Sequence, residues 1–100
     1  MNEFNKVGEL SITGTVLHTG TNGSFLSKLT AIKFNNPAAY QLTISLYKAD
    51  TSLTTVLYTL TLDAGDIVND QTVYQLNDGD QLIATSNIVG TNYYAAGADY

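Results

Sequence analysis

One phrase occurs twice. Leu60-Thr61-Leu62-Asp63-Ala64-Gly65-Asp66-Ile67-Val68 returns fourteen residues later as Tyr74-Gln75-Leu76-Asn77-Asp78-Gly79-Asp80-Gln81-Leu82. Each copy runs two alternate apolar residues into an Asx-containing pair, then Gly-Asp, then a second strand-like stretch. Glycine adopts a positive φ without steric penalty, and Asx side chains bond nearby backbone N–H groups, so each copy reads as strand, tight turn, strand. Gly65, Asp66, Gly79 and Asp80 are therefore expected to be structural turn residues, marking two corners of a compact β domain.

The rest of the chain agrees with a β reading. Short segments alternate apolar and polar residues between clusters of Gly, Asn, Asp and Pro, and no window of ten residues carries a helical period. Tyr40 to Lys48 alternates cleanly, with Leu42, Ile44 and Leu46 on one side. Thr54 to Leu62 places Val56, Tyr58, Leu60 and Leu62 together. Val7–Leu17, Phe25–Phe34, Ile67–Val68, Val73–Leu76, Gln81–Ser86, Thr91–Tyr94 and Ala98–Tyr100 supply further strand-like stretches, and Asn35-Asn36-Pro37 reads as a turn. Phe25 to Phe34 has mixed parity, which requires either two buried faces or a bulge. Strands at such spacing predict an all-β fold of about eight short strands. The expected architecture is a two-layer antiparallel β-sandwich, jelly-roll-like or immunoglobulin-like. Residues 1–6 read as a polar N-terminal arm and residues 7–100 as a single sandwich domain.

Composition narrows the function. The chain has no Cys, which removes disulfides and thiolate chemistry. Its net charge is −5, and residues 51–100 hold six Asp and no base, so no nucleic-acid partner is expected. No apolar run approaches the ~20 residues of a membrane helix, and the N-terminus has no leader-like pattern, so neither a membrane nor a secretory role is expected. His18 is the only histidine and reads as an exposed strand end; catalysis would need Ser and Asp to converge on it. Asp63, Asp66, Asp78 and Asp80 are the candidates for a bound cation, although their spacing fits no calcium loop and no cofactor is expected. Tyr40, Tyr47, Tyr93, Tyr94 and Tyr100 are candidate interface residues, since Tyr suits both strands and protein contacts. No nucleophile–base set is visible, so no enzymatic activity is expected.

A family likeness follows from the order of several segments. Lys28-Leu29-Thr30-Ala31-Ile32-Lys33-Phe34-Asn35-Asn36 precedes an alternating strand ending in Leu46-Tyr47. The two Gly-Asp phrases follow, and Asn92-Tyr93 comes near the end. Over roughly residues 25–100 this resembles the small β-sandwich accessory proteins of tailed-bacteriophage virions, which decorate capsids or sit on head and tail fibres. The resemblance implies a non-enzymatic virion structural protein made in the bacterial cytoplasm. It would bind other virion proteins, the major capsid protein first, as a homo-oligomer or symmetric array on the capsid surface. The alternative is a carbohydrate- or calcium-dependent adhesion module of a phage fibre.

Overall fold

The computed structural model describes residues 2–33 and 39–100. Among the described residues nine strands follow one another: β1 (Asn2–Glu9), β2 (Thr15–Thr19), β3 (Ser24–Ile32), β4 (Tyr40–Lys48), β5 (Leu53–Leu62), β6 (Ile67–Asp70), β7 (Tyr74–Leu76), β8 (Gln81–Ser86) and β9 (Asn92–Asp99). They form two antiparallel sheets. Sheet A has the order β1-β9-β3, with β6 and β7 sharing the far side of β3; sheet B has the order β2-β8-β4-β5. The pairing is nested. First pairs with last (β1 with β9), then β2 with β8, β3 with β6 and β7, and β4 with its neighbour β5. A long antiparallel ribbon folded over itself in this way is a jelly roll, one of the two sandwich topologies that the sequence predicts.

The core lies between the sheets. Leu26, Leu29 and Ala95 of sheet A meet Leu17, Leu42, Ile44, Leu82 and Ala84 of sheet B, all fully buried. Leu42 and Ile44 on β4, and Leu82 and Ala84 on β8, alternate along their strands, so each strand gives one face to a shared dry layer ~10 Å thick. Complete burial of each Leu or Ile side chain stabilises the fold by roughly 1.5–3 kcal/mol.

Three bulges reset the alternation. The register of β3 against β9 shifts between Leu26 and Lys28, which turns both Leu26 and Leu29 inward and explains the mixed parity of that segment. A shift between Val16 and His18 turns Leu17 and His18 inward together. On β5, pairing passes from Tyr58 to Val56 with Leu57 unpaired. Val56 is thereby expelled to the outer face, 58% exposed, rather than sharing the side of Tyr58, Leu60 and Leu62.

Two further expectations are corrected. The segment read as a polar arm is β1, an edge strand laid along β9. An edge strand needs only one hydrogen-bonded neighbour, so its polar, exposed residues are no obstacle. The expected strand Val7–Leu17 is broken at residues 10–14, where the Leu10 N–H donates to the Thr91 carbonyl and Gly14 has φ +116°. The expected Asn35-Asn36-Pro37 turn and Phe34 lie outside the described residues.

Candidate functional site

Both Gly-Asp phrases carry the chain from one sheet to the other. The first links β5 of sheet B to β6 of sheet A; the second links β7 of sheet A to β8 of sheet B. Their turns are built alike. Gly65 and Gly79 have φ of +80° and +85°. The Asp66 N–H donates to the Asp63 carbonyl at 3.0 Å, and the Asp63 N–H donates to Asp66 Oδ2 at 3.2 Å. Asp80 N–H to the Asn77 carbonyl (3.0 Å) and Asn77 N–H to Asp80 Oδ2 (3.1 Å) repeat the pattern.

The corners differ in burial. Asp66 is exposed, whereas Asp80 is 2% exposed and also accepts from Lys48 Nζ at 2.8 Å and the Ala49 N–H at 3.0 Å. Burial pushes the Asp80 carboxyl up, but the Lys48 ammonium and the two backbone N–H groups outweigh it and hold the group below its ordinary value. Asp78 accepts from the Asn22 N–H. Among the described residues no three acidic or histidine side chains are grouped to hold a metal ion. Of the four carboxylates named as cation candidates, Asp66 and Asp80 close their own turns and Asp78 accepts from a neighbouring loop, while Asp63 accepts through its backbone carbonyl.

A second acidic centre escaped the sequence reading. Asp70, at the end of β6, accepts hydrogen bonds from the hydroxyls of Tyr58 on β5 and Tyr74 on β7. The two hydroxyls are also 2.6 Å from each other. Burial, and then the hydrogen bond to Asp70, push the Tyr58 hydroxyl up to about 12; Tyr74 rises for the same reasons. Groups whose folded value is raised stabilise the fold below their unfolded value and lose that contribution as pH rises. Stability should therefore hold up to about pH 10 and fall from there through pH 12. In an alkaline absorbance titration Tyr58 and Tyr74 should ionise only with unfolding. Tyr74→Phe should abolish that late step for its own ring and leave the Tyr58 midpoint at least as high, since the Tyr74 hydroxyl is the one neighbour that lowers it. Tyr58 and Tyr74 ionising near pH 10 with the fold intact would contradict the cluster.

His18 is buried, not an exposed strand end. Its ring stacks on Phe4 of β1, with centroids 3.7 Å apart and planes within 8°. Lys6 Nζ lies 3.0 Å from Nδ1; an ammonium has only hydrogens to offer, so Nδ1 accepts and Nε2 donates to Asp99 Oδ1 at 2.8 Å. The Ser24 hydroxyl donates to the same carboxylate oxygen at 2.5 Å. The Ser24 hydrogen bond first, and His18 second, hold the Asp99 carboxyl below its ordinary value. Ser, His and Asp thus do converge, but Asp99 stands between the other two. A serine nucleophile needs the imidazole at its own hydroxyl. Ser24 spends its hydrogen on Asp99 and is fully buried, so this cluster fastens β1 across the end of the sandwich.

The candidate tyrosines do not form one platform. Tyr40 is corrected to a core residue: it is 1% exposed, accepting from the Lys33 N–H and donating to the Asp66 carbonyl. Tyr93 is half-buried and packs on the core. Tyr94 and Tyr100 are exposed, at 37% and 58%, with Tyr94 on the outer face of sheet A and Tyr100 against Phe25. Tyr47 belongs to the opposite face, the outer side of sheet B.

That outer side of sheet B is the most unusual surface. The register aligns Val16, Ile83, Ser45 and Val56 in one row across all four strands. Thr85, Thr43 and Thr59 form the row on one side; Gln81, Tyr47 and Thr54 form the row on the other. Not one of the chain's thirteen charged residues stands on it. The outer face of sheet A, by contrast, carries Glu3, Glu9 and Lys28. A protein of net charge −5 that leaves one broad face uncharged, with Ile83 and Ser45 on its central strands and exposed Val16 and Val56 on its two edge strands, has a surface suited to protein contact.

No protein-family model matches the chain, and no curated protein matches it.

Proposed function

We propose that this chain is a non-enzymatic structural protein of a tailed-phage virion, an auxiliary protein that docks in many copies on the capsid surface. The observation that carries the reading is the uncharged outer face of sheet B, centred on Val16, Ile83, Ser45 and Val56. A flat β face of threonine and aliphatic residues offers complementarity of shape without the cost of stripping water from charges. Each contact is modest, and a symmetric array multiplies it. The segment order that resembles virion accessory proteins supports the same assignment.

The test is co-sedimentation with purified phage particles. The wild-type protein should sediment in many copies. Val56→Lys with Ile83→Lys should lower occupancy by about tenfold or more while leaving the melting temperature nearly unchanged, because charge on an outward face costs binding far more than folding. Wild-type protein left in the supernatant, or a double variant that binds like wild type, would refute the assignment.

A second reading, a carbohydrate-binding adhesion module, is favoured by a shallow hollow of about 290 Å³ on the outer face of sheet A. Ala96, Gly97 and Ala98 form its floor, Phe25 and Tyr94 flank it, and Glu3 offers a carboxylate at its rim. Glycan binding by the isolated domain, without particle binding, would favour this reading over the first.

A further inference from the structure

From the side of the sandwich where the sheet edges meet, we infer that the groove between β5 and β6 receives an extended, basic-ended segment of a partner protein as an added strand. This goes beyond the capsid-docking reading and uses a different surface.

Among the described residues β5 pairs only with β4 and β6 only with β3, so each presents a row of unpaired backbone groups along its outer side. The other edges are guarded. β1 carries Glu3, Lys6 and Glu9; β2 has five residues and a bulge. Such devices discourage strand addition. β5 is ten residues long and holds neither charge nor proline, and past its bulge it is regular from Tyr58 to Leu62. Five residues span about 17 Å, enough for a strand of similar length.

Between the two edges lies a groove of about 420 Å³ with Leu60, Leu62, Ile67 and Val68 along it. Ile67 is 58% exposed there. The Asp63–Asp66 corner closes one end, and Asp70 with its tyrosines closes the other. Residues 53–73 contribute three Asp and no base. The occupant that fits is an extended segment with apolar side chains on the groove side and a basic residue at each end. Main-chain bonds to β5 supply affinity and the end charges supply register. A second copy fits worse, since antiparallel β5–β5 pairing would bring the two acidic sets together.

The test uses two heptapeptides, Lys-Val-Thr-Val-Thr-Val-Lys and its Glu-ended counterpart, titrated into the ¹⁵N-labelled protein at low salt. The Lys-ended peptide should shift amides of residues 58–62 and 67–70. It should bind about tenfold tighter than the Glu-ended one, a gap that closes in high salt. Ile67→Lys, on an exposed position, should weaken binding about tenfold without lowering the melting temperature, whereas Val16→Lys on the outer face of sheet B should leave it unchanged. Equal binding of both peptides, shifts elsewhere, no shifts at all, or a dimer that Ile67→Lys dissolves would each overturn the inference. Particle binding is read separately, so either assignment can fail alone.

Discussion

Gly97→Ala should cost about 3 kcal/mol or more, lowering the melting temperature by roughly 12 °C or more. Gly97 sits on β9, the strand held between β1 and β3, paired with Phe4 on one side and Leu26 on the other. A methyl group there would run into the Phe25 carbonyl oxygen and lie 2.8 Å from both Leu26 Cα and the tip of the Phe4 ring. The ring can swing aside only by leaving its stack on His18, and the β3 backbone can retreat only by breaking the ladder. Gly65→Ala is the matched control. Its methyl group would meet nothing within 4 Å, so only the strain of φ +80° remains, about 1–2 kcal/mol. Thermal melts of the two variants should differ clearly in that order; a Gly97→Ala protein that melts with the wild type would show that β9 does not run so close to β3.

Asp80→Ala should cost about 3 kcal/mol by urea titration. Most of this comes from leaving the Asn77 and Ala49 N–H groups without an acceptor, at roughly 1–3 kcal/mol each. Lys48 contributes less, because its side chain is 35% exposed and rehydrates when the carboxylate is gone. The same carboxylate sets the acid limit. Asp80 titrates below its ordinary 3.8 in the fold, so the unfolded chain takes up the proton first. Its contribution is complete above about pH 5 and is lost as pH falls below about 4. Asp70 and Asp99 shift in the same direction, so Asp80→Asn should flatten the acid limb of the stability curve without removing it. An unchanged acid limb would show that Asp80 does not govern it.

The fold was readable because its signals are local. Alternation in Tyr40–Lys48 and the twin Gly-Asp turns depend on neighbours in sequence, and each fixes a strand or corner by itself. What escaped depends on residues far apart. His18 reads as an exposed strand end until the bulge after Val16 turns it inward onto Asp99. Val56 continues the apolar side of β5 in sequence, yet one unpaired residue, Leu57, moves it to the opposite face. The polar start of the chain lacks strand-like alternation because β1 is an edge strand on which only Phe4 is partly buried, against His18. Tyr58, Tyr74 and Asp70 come from three strands of two sheets, and no spacing rule announces their meeting. The Cβ-free positions at Gly20 and Gly97 are of the same kind. Gly20 has backbone of Asn77 pressed against it, a contact that only the folded chain creates.

The nested pairing also dictates kinetics. The β4–β5 hairpin is the innermost rung and closes a loop of a few residues, whereas Asn2 meets Asp99 across almost the entire length of the chain. Loop entropy falls due before such distant partners reward it, so assembly should spread outward from β4–β5 and finish with β1, on the millisecond-to-second timescale of chains rich in non-local strands. The last strand to arrive is then the first to leave. Native-state hydrogen exchange should find the amides of β1 opening well before those of β4, which makes the seam of Phe4 and His18 the fastener that sets the lifetime of the closed state.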